Sequence, residues 1–214
     1  LIDAKGRWQI LGQQVLLSRY PLPAKILESL DPGIGGDFNE GVAALLASVA
    51  AKQKAPEERT PGEQALLDSA IPYNPDAWDG YGFERDTLLD QAGQLGRRLI
   101  ALAGDTHNAW ASQLRNSNGD IVGAELATPS VSSPGLEDLL GAAAAAQFAP
   151  LLEILVDDLV YTNLSDRGYL RVTLTADAVT ADWRFVSAID SPDYEILDSA
   201  GRTLSVAADT LALG

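Results

Sequence analysis

A continuous apolar run, Leu99-Ile100-Ala101-Leu102-Ala103, is bracketed by Arg97-Arg98 before it and Gly104 after it. A short run with no polar alternation reads as a strand buried on both faces, which calls for layers above and below it. In open α/β sheets, ligands bind beyond the carboxyl ends of such strands. The residues in that place are Gly104-Asp105-Thr106-His107, and His107 is the single histidine of the 214-residue chain. Read as an extended segment, Asp105 and His107 project the same way and offer a carboxylate and an imidazole to a metal ion. The competing reading is a local turn capped by Asp105 or Thr106, with His107 hydrogen-bonded nearby.

The elements around this strand alternate in type. Trp8 to Gly12 reads as a short strand. Leu22 to Phe38 reads as loop, with Asp31-Pro32-Gly33-Ile34-Gly35-Gly36 lacking the lysine of a phosphate-binding loop. Asn39 is placed as the cap of a helix from Glu40 to Gln53, followed by an exposed stretch to Pro61 and a helix over Glu63 to Ala70. Phe83 to Gly96 carries Leu88, Leu89, Ala92 and Leu95 at helical spacing. Asn118-Gly119 between Ala109–Asn116 and Ile121–Ala127 predicts a hairpin. Ser133-Pro134 predicts the start of a helix continuing to Phe148. Tyr169–Thr175 and Val179–Val186 alternate as an antiparallel hairpin, with Val179, Ala181, Trp183 and Phe185 on one face. The stretch after Asp190 reads as a frayed, turn-rich tail. Together these give an α/β (α+β) chain with a mixed sheet, flanking helices and a C-terminal antiparallel hairpin, in one unit over residues 1–214.

Composition limits the chemistry. Thirty acidic against 15 basic residues leave a formal net charge of −15, which repels polyanions and argues against nucleic-acid binding. No cysteine is present, so thiolate ligands and a cysteine nucleophile are excluded. No apolar stretch reaches the length of a transmembrane span, and no secretion signal is visible. There is no Gly-x-Ser-x-Gly elbow. The Asp and Glu residues show no metal-ligand spacing. The chain opens on Leu1 and contains no methionine, which predicts that it starts within a longer protein.

Five segments, in order, resemble motifs of the PhoD-like alkaline phosphatases. They are Trp8-Gln9-Ile10-Leu11-Gly12-Gln13-Gln14, Trp78-Asp79-Gly80-Tyr81, Gly104-Asp105-Thr106-His107-Asn108-Ala109-Trp110, Ala127-Thr128-Pro129-Ser130-Val131-Ser132-Ser133-Pro134-Gly135, and Asp166-Arg167-Gly168-Tyr169. The resemblance implies the carboxyl-terminal half of a calcineurin-like metallophosphoesterase: part of a two-sheet αββα sandwich. It implies that Asp105 and His107 are metal ligands, with iron and calcium the associated metals, and that Asn108 and Trp110 line the substrate cleft. It further implies hydrolysis of a small phosphate ester by a periplasmic or secreted parent. The family's earlier ligand motifs have no counterpart here, so the expectation is a chain inactive alone, whose partner is the missing N-terminal half. Exposed apolar surface on such a half predicts self-association. A non-catalytic structural or binding module on the same scaffold is the alternative, and a different hydrolase sharing the Asp-x-His ending is a third reading.

Overall fold

A computed structural model describes residues 6–30 and 37–214, so the glycine-rich stretch from Asp31 to Gly36 lies outside the described residues. Five strands form the central sheet: β1 (Gln9–Gly12), β4 (Leu99–Ala103), β6 (Ile121–Ala127), β5 (Ala109–Arg115) and β7 (Leu159–Asn163), in that spatial order. β1, β4 and β6 run parallel, while β5 is antiparallel to both β6 and β7. The chain therefore leaves the carboxyl ends of β1, β4, β6 and β7 along one rim.

The period-two alternation of β4 decides the layering. Leu99, Ala101 and Ala103 pack with the helices on one face, whereas Ile100 and Leu102 pack on the other against a second sheet. That second sheet joins β8 (Gly168–Leu174), β9 (Ala178–Phe185) and β10 (Arg202–Ala207), all antiparallel, in the order β10-β9-β8. Val179, Ala181, Trp183 and Phe185 are all buried between the sheets, as their alternation predicts. The Trp183 indole also donates to the Ala127 carbonyl at 2.9 Å, tying the two sheets together. The described residues thus form three layers: helices, a mixed sheet and an antiparallel sheet.

Several local expectations need correction. The loop region from Leu22 contains a helix, α1 (Ala24–Leu30), whose Ile26 and Leu30 pack into the core. Just before it, β2 (Pro21–Pro23) pairs with β3 (Ala70–Pro72). The next helix, α2 (Phe38–Lys52), is capped by Asp37 and not Asn39, the Asp37 carboxylate accepting from the Asn39 N–H at 2.8 Å. α3 (Pro61–Asp68) begins at a capping box between Thr60 and Glu63. In α4 (Gly82–Gln94), Leu89 and Ala92 are buried, but Leu95 falls past the last turn and is exposed.

The single helix expected from Ser133 to Phe148 is two helices, α5 (Leu136–Leu140) and α6 (Ala142–Leu155). Gly141 separates them at φ 80°, a left-handed conformation that ends α5 and that a Cβ would disfavour. The tail after Asp190 is not frayed: it returns as β10, and the Gln113 side chain holds Leu211 and Leu213 through their backbone. The reason is the apolar alternation of Leu204 and Val206, which closes the second sheet.

Candidate metal centre

The turn from Gly104 to Asn108 sits at the carboxyl end of β4, in the centre of the parallel strands. Its neighbours on the rim hold its base. The Gly104 N–H donates to the Gln14 carbonyl beyond β1 at 3.0 Å, and the Thr128 N–H beyond β6 donates to the Ala103 carbonyl at 2.9 Å. The segment is not extended, contrary to the sequence reading. Asp105 has φ 64° and His107 φ 58°, both left-handed. Such a conformation in a residue with a Cβ costs about 1–3 kcal/mol and persists only where the surroundings enforce it.

The enforcement is visible. His107 Nδ1 lies 2.8 Å from the Pro134 carbonyl oxygen, which can only accept. Nδ1 therefore carries the proton, and the lone pair of the neutral ring is on Nε2, the nitrogen left for a metal. The Arg167 guanidinium, itself buried, donates to the His107 carbonyl, reaches the Ser133 carbonyl at 3.3 Å and pairs with Glu137 at the start of α5. Burial pulls the Arg167 pKa down, and the Glu137 charge opposes that shift. Adjacent in sequence, Asp166 and Arg167 form no salt bridge with each other among the described residues. In the structure Arg167 reaches across to the turn, while Asp166 accepts from the Asn163 amide at 2.8 Å. Ser133-Pro134 likewise supplies carbonyls to this site and does not start a helix.

Asp105 is exposed, its Oδ1 meeting the Gln14 amide at 3.3 Å. Asn108 and Trp110 take other places. Asn108 is fully buried, its Oδ1 accepting from the Leu136 N–H at 3.1 Å, with Gly135 closed against its amide. Trp110 is 2% exposed and donates to Thr106 Oγ1 at 3.1 Å, with the Tyr20 and Tyr73 rings beside it at 5.0 and 6.0 Å. Among the described residues both side chains are buried, Trp110 against Thr106 of the turn and Asn108 against the start of α5.

Sequence reasoning passed over Glu125, the one charged residue in the otherwise apolar β6. Its fully buried carboxylate accepts from the Leu17 N–H at 2.5 Å and the Ser18 N–H at 2.9 Å. Burial raises the pKa of Glu125, opposed by those two N–H groups. Arg85 closes the other side of the same segment, its Nε donating to the Leu17 carbonyl at 2.8 Å. Asp79 accepts from the Tyr20 N–H at 3.1 Å. Glu125, Arg85 and Asp79 thus fix residues 17 to 20, just beyond the Gln14 that meets Asp105. A lone carboxylate inside an apolar run was the available signal.

The five motif segments therefore converge on one rim, where a turn presents a carboxylate and an oriented imidazole. A family described as PhoD-like phosphatase matches residues 1–183. The chain belongs to the PhoD-like phosphatase family. A solved structure described as "Structure of PhoD" superposes with a TM-score of 0.64 at 21% identity, covering 99% of this chain and 32% of that one. That likeness supports the α/β fold, and this PhoD-like chain spans about a third of the length of the structure it matches. No curated protein sequence matches it. The donor set fits part of a metal site: a hard carboxylate and a neutral imidazole suit the same ions. Among the described residues no group of three or more His, Cys, Asp or Glu side chains could hold an ion by itself.

Proposed function

We propose that this chain forms one wall of a metal-dependent phosphoesterase centre, with Asp105 and His107 as two of the ligands. The observation that carries the proposal is the His107 ring. Its Nδ1 is committed to the Pro134 carbonyl in a left-handed turn at the carboxyl end of the central strand, leaving Nε2 uncommitted in the same turn as the exposed Asp105. An outer-shell carbonyl that sets the tautomer is how proteins orient metal-ligating histidines. The remaining donors belong to a further segment of a longer protein, so residues 1–214 alone are inactive.

When bound, the metals supply charge neutralisation at the phosphoryl oxygens and a more acidic attacking water. The chain's own residues do the positioning. Arg167 holds the His107 carbonyl, Pro134 fixes the imidazole and Gln14 steadies Asp105. The substrate is a small phosphate ester, the metals are iron and calcium by family likeness, and the protein works outside the cytoplasm. No helix among the described residues is long and apolar enough to cross a membrane.

The test uses the full-length protein, with metal content measured alongside hydrolysis of a chromogenic phosphoester. His107→Ala and Asp105→Asn should each weaken metal binding by at least the roughly 100-fold that loss of an outer-shell partner can cost, and activity should fall in parallel. Unchanged activity in His107→Ala would overturn the ligand assignment. A metal-free, inactive full-length protein would favour a non-catalytic module.

A further inference from the structure

Beside the rim lies an open groove of about 340 Å³ lined by Val15, Asp76, Ala77, Trp78, Tyr81 and Glu84. We propose that this groove binds an organic cation, the ammonium-bearing alcohol group of a phosphate ester. Trp78, Tyr81 and Glu84 follow one another at spacings of three. The Tyr81 N–H donates to the Trp78 carbonyl at 2.9 Å, closing a tight 3₁₀ turn whose i and i+3 side chains lie one above the other. Glu84 continues the row into the first turn of α4.

The groove is thus lined by two aromatic side chains, Trp78, which also packs against the core, and Tyr81, together with the carboxylates of Asp76 and Glu84. The Asp76 and Glu84 carboxylates take part in no ion pair among the described residues. Arg19, which lies against Gly82, is committed to Asp86 at 2.7 Å and Asp79 at 3.8 Å. Tyr81 is 55% exposed, a large aromatic surface left facing water. Aromatic faces attract a cation through their quadrupole, and bulky alkylammonium groups lose little hydration on entering such a site. The uncompensated carboxylates and the chain's −15 charge add to that attraction. The volume lies within the range of small-ligand clefts.

The chain joins the groove to the candidate centre. Val15 lines the groove, and the preceding residue, Gln14, contacts Asp105. An ester whose phosphoryl group sat at the turn would extend its alcohol portion this way. That link rests on the phosphoesterase reading, whereas cation binding rests on the groove itself.

The probes are choline and its uncharged carbon isostere, 3,3-dimethylbutan-1-ol, titrated into the protein and followed by ligand-observed NMR at constant ionic strength. Choline should bind saturably and the isostere at least tenfold more weakly. Tyr81→Leu, an exposed position, and the double substitution Asp76→Asn/Glu84→Gln should each weaken choline binding by about tenfold. Equal binding of the two probes would overturn the proposal. So would displacement of choline by equimolar potassium, or unaltered binding in both variants whose circular dichroism matches the parent. His107→Ala should retain choline binding. Loss of the metal reading therefore leaves the groove standing, and a choline-blind but metal-active protein would overturn the groove alone.

Discussion

His107 owes its chemical state to groups distant in sequence. Pro134 selects the ring tautomer, and Arg167 holds the backbone carbonyl of a residue in a left-handed conformation. Removing Arg167 leaves the Glu137 carboxylate poorly compensated and frees the turn. Arg167→Ala should therefore cost about 3–5 kcal/mol in urea unfolding, and a cost below 1 kcal/mol would show that the turn holds without it. On the outer face of the second sheet, Asp182 shows a different balance. Burial raises its pKa, but hydrogen bonds from Arg184, Thr203 and Arg171 outweigh that and hold it below the ordinary carboxylate value. The stability this provides is present above about pH 3.9 and lost as pH falls through the lowered value. Asp182→Asn should therefore melt below the parent at pH 7, with the gap closing in melts taken progressively below pH 4.

The strands and helices show where local patterns suffice. β4 and β9 were legible because strict burial on both faces, or on alternate positions, leaves a periodic trace. The capping box of α3 is likewise local: Thr60 Oγ1 accepts from the Glu63 N–H at 3.3 Å, and Glu63 Oε2 from the Thr60 N–H at 2.8 Å. Lys54 and the Thr60 N–H bring the Glu63 pKa down to about 2. Thr60→Ala should lower stability by about 1 kcal/mol in thermal unfolding, a change that a purely propensity-driven helix would not show. The split between α5 and α6 was hidden because Leu136-Glu137-Asp138-Leu139-Leu140 before Gly141 and the alanine run after it both suit a helix, so the pattern reads as continuous. Close approach was hidden too: a Cβ on Gly123 would stand 1.8 Å from the Leu99 carbonyl oxygen of the adjacent strand. Gly123→Ala should push β6 from β4 and cost at least about 3 kcal/mol, seen as loss of the cooperative melt or of soluble protein.

Taken whole, the chain is three layers sharing a strongly acidic surface. With a net charge of −15, self-repulsion opposes the compact state and is screened by salt. The melting temperature should rise between about 10 and 150 mM sodium chloride, where the Debye length falls from roughly 30 to 8 Å. A flat response would mean that local ion pairs cancel the repulsion. Large apolar groups remain exposed, Phe83 at 81% and Val131 at 69% among them. If such surfaces drive self-association, the sedimentation coefficient should rise across a concentration series, and a constant value would rule it out.

The place of the candidate site was written locally. A buried strand must end, and the Gly-Asp-Thr-His after Ala103 could only emerge at its carboxyl end. The layered α/β architecture was legible for the same reason, since burial on both faces demands cover on both. The shape of the turn was not local. Left-handed backbone at Asp105 and His107, the buried reach of Arg167, the burial of Asn108 and Trp110, and the carboxylate of Glu125 under residues 17 and 18 all depend on partners from loops and helices elsewhere in the chain. Neighbouring residues favour the ordinary conformations, and the rim overrides them through hydrogen bonds from distant segments, Arg167 to the His107 carbonyl and the Leu17 and Ser18 N–H groups to Glu125, which a buried polar group needs once water is excluded.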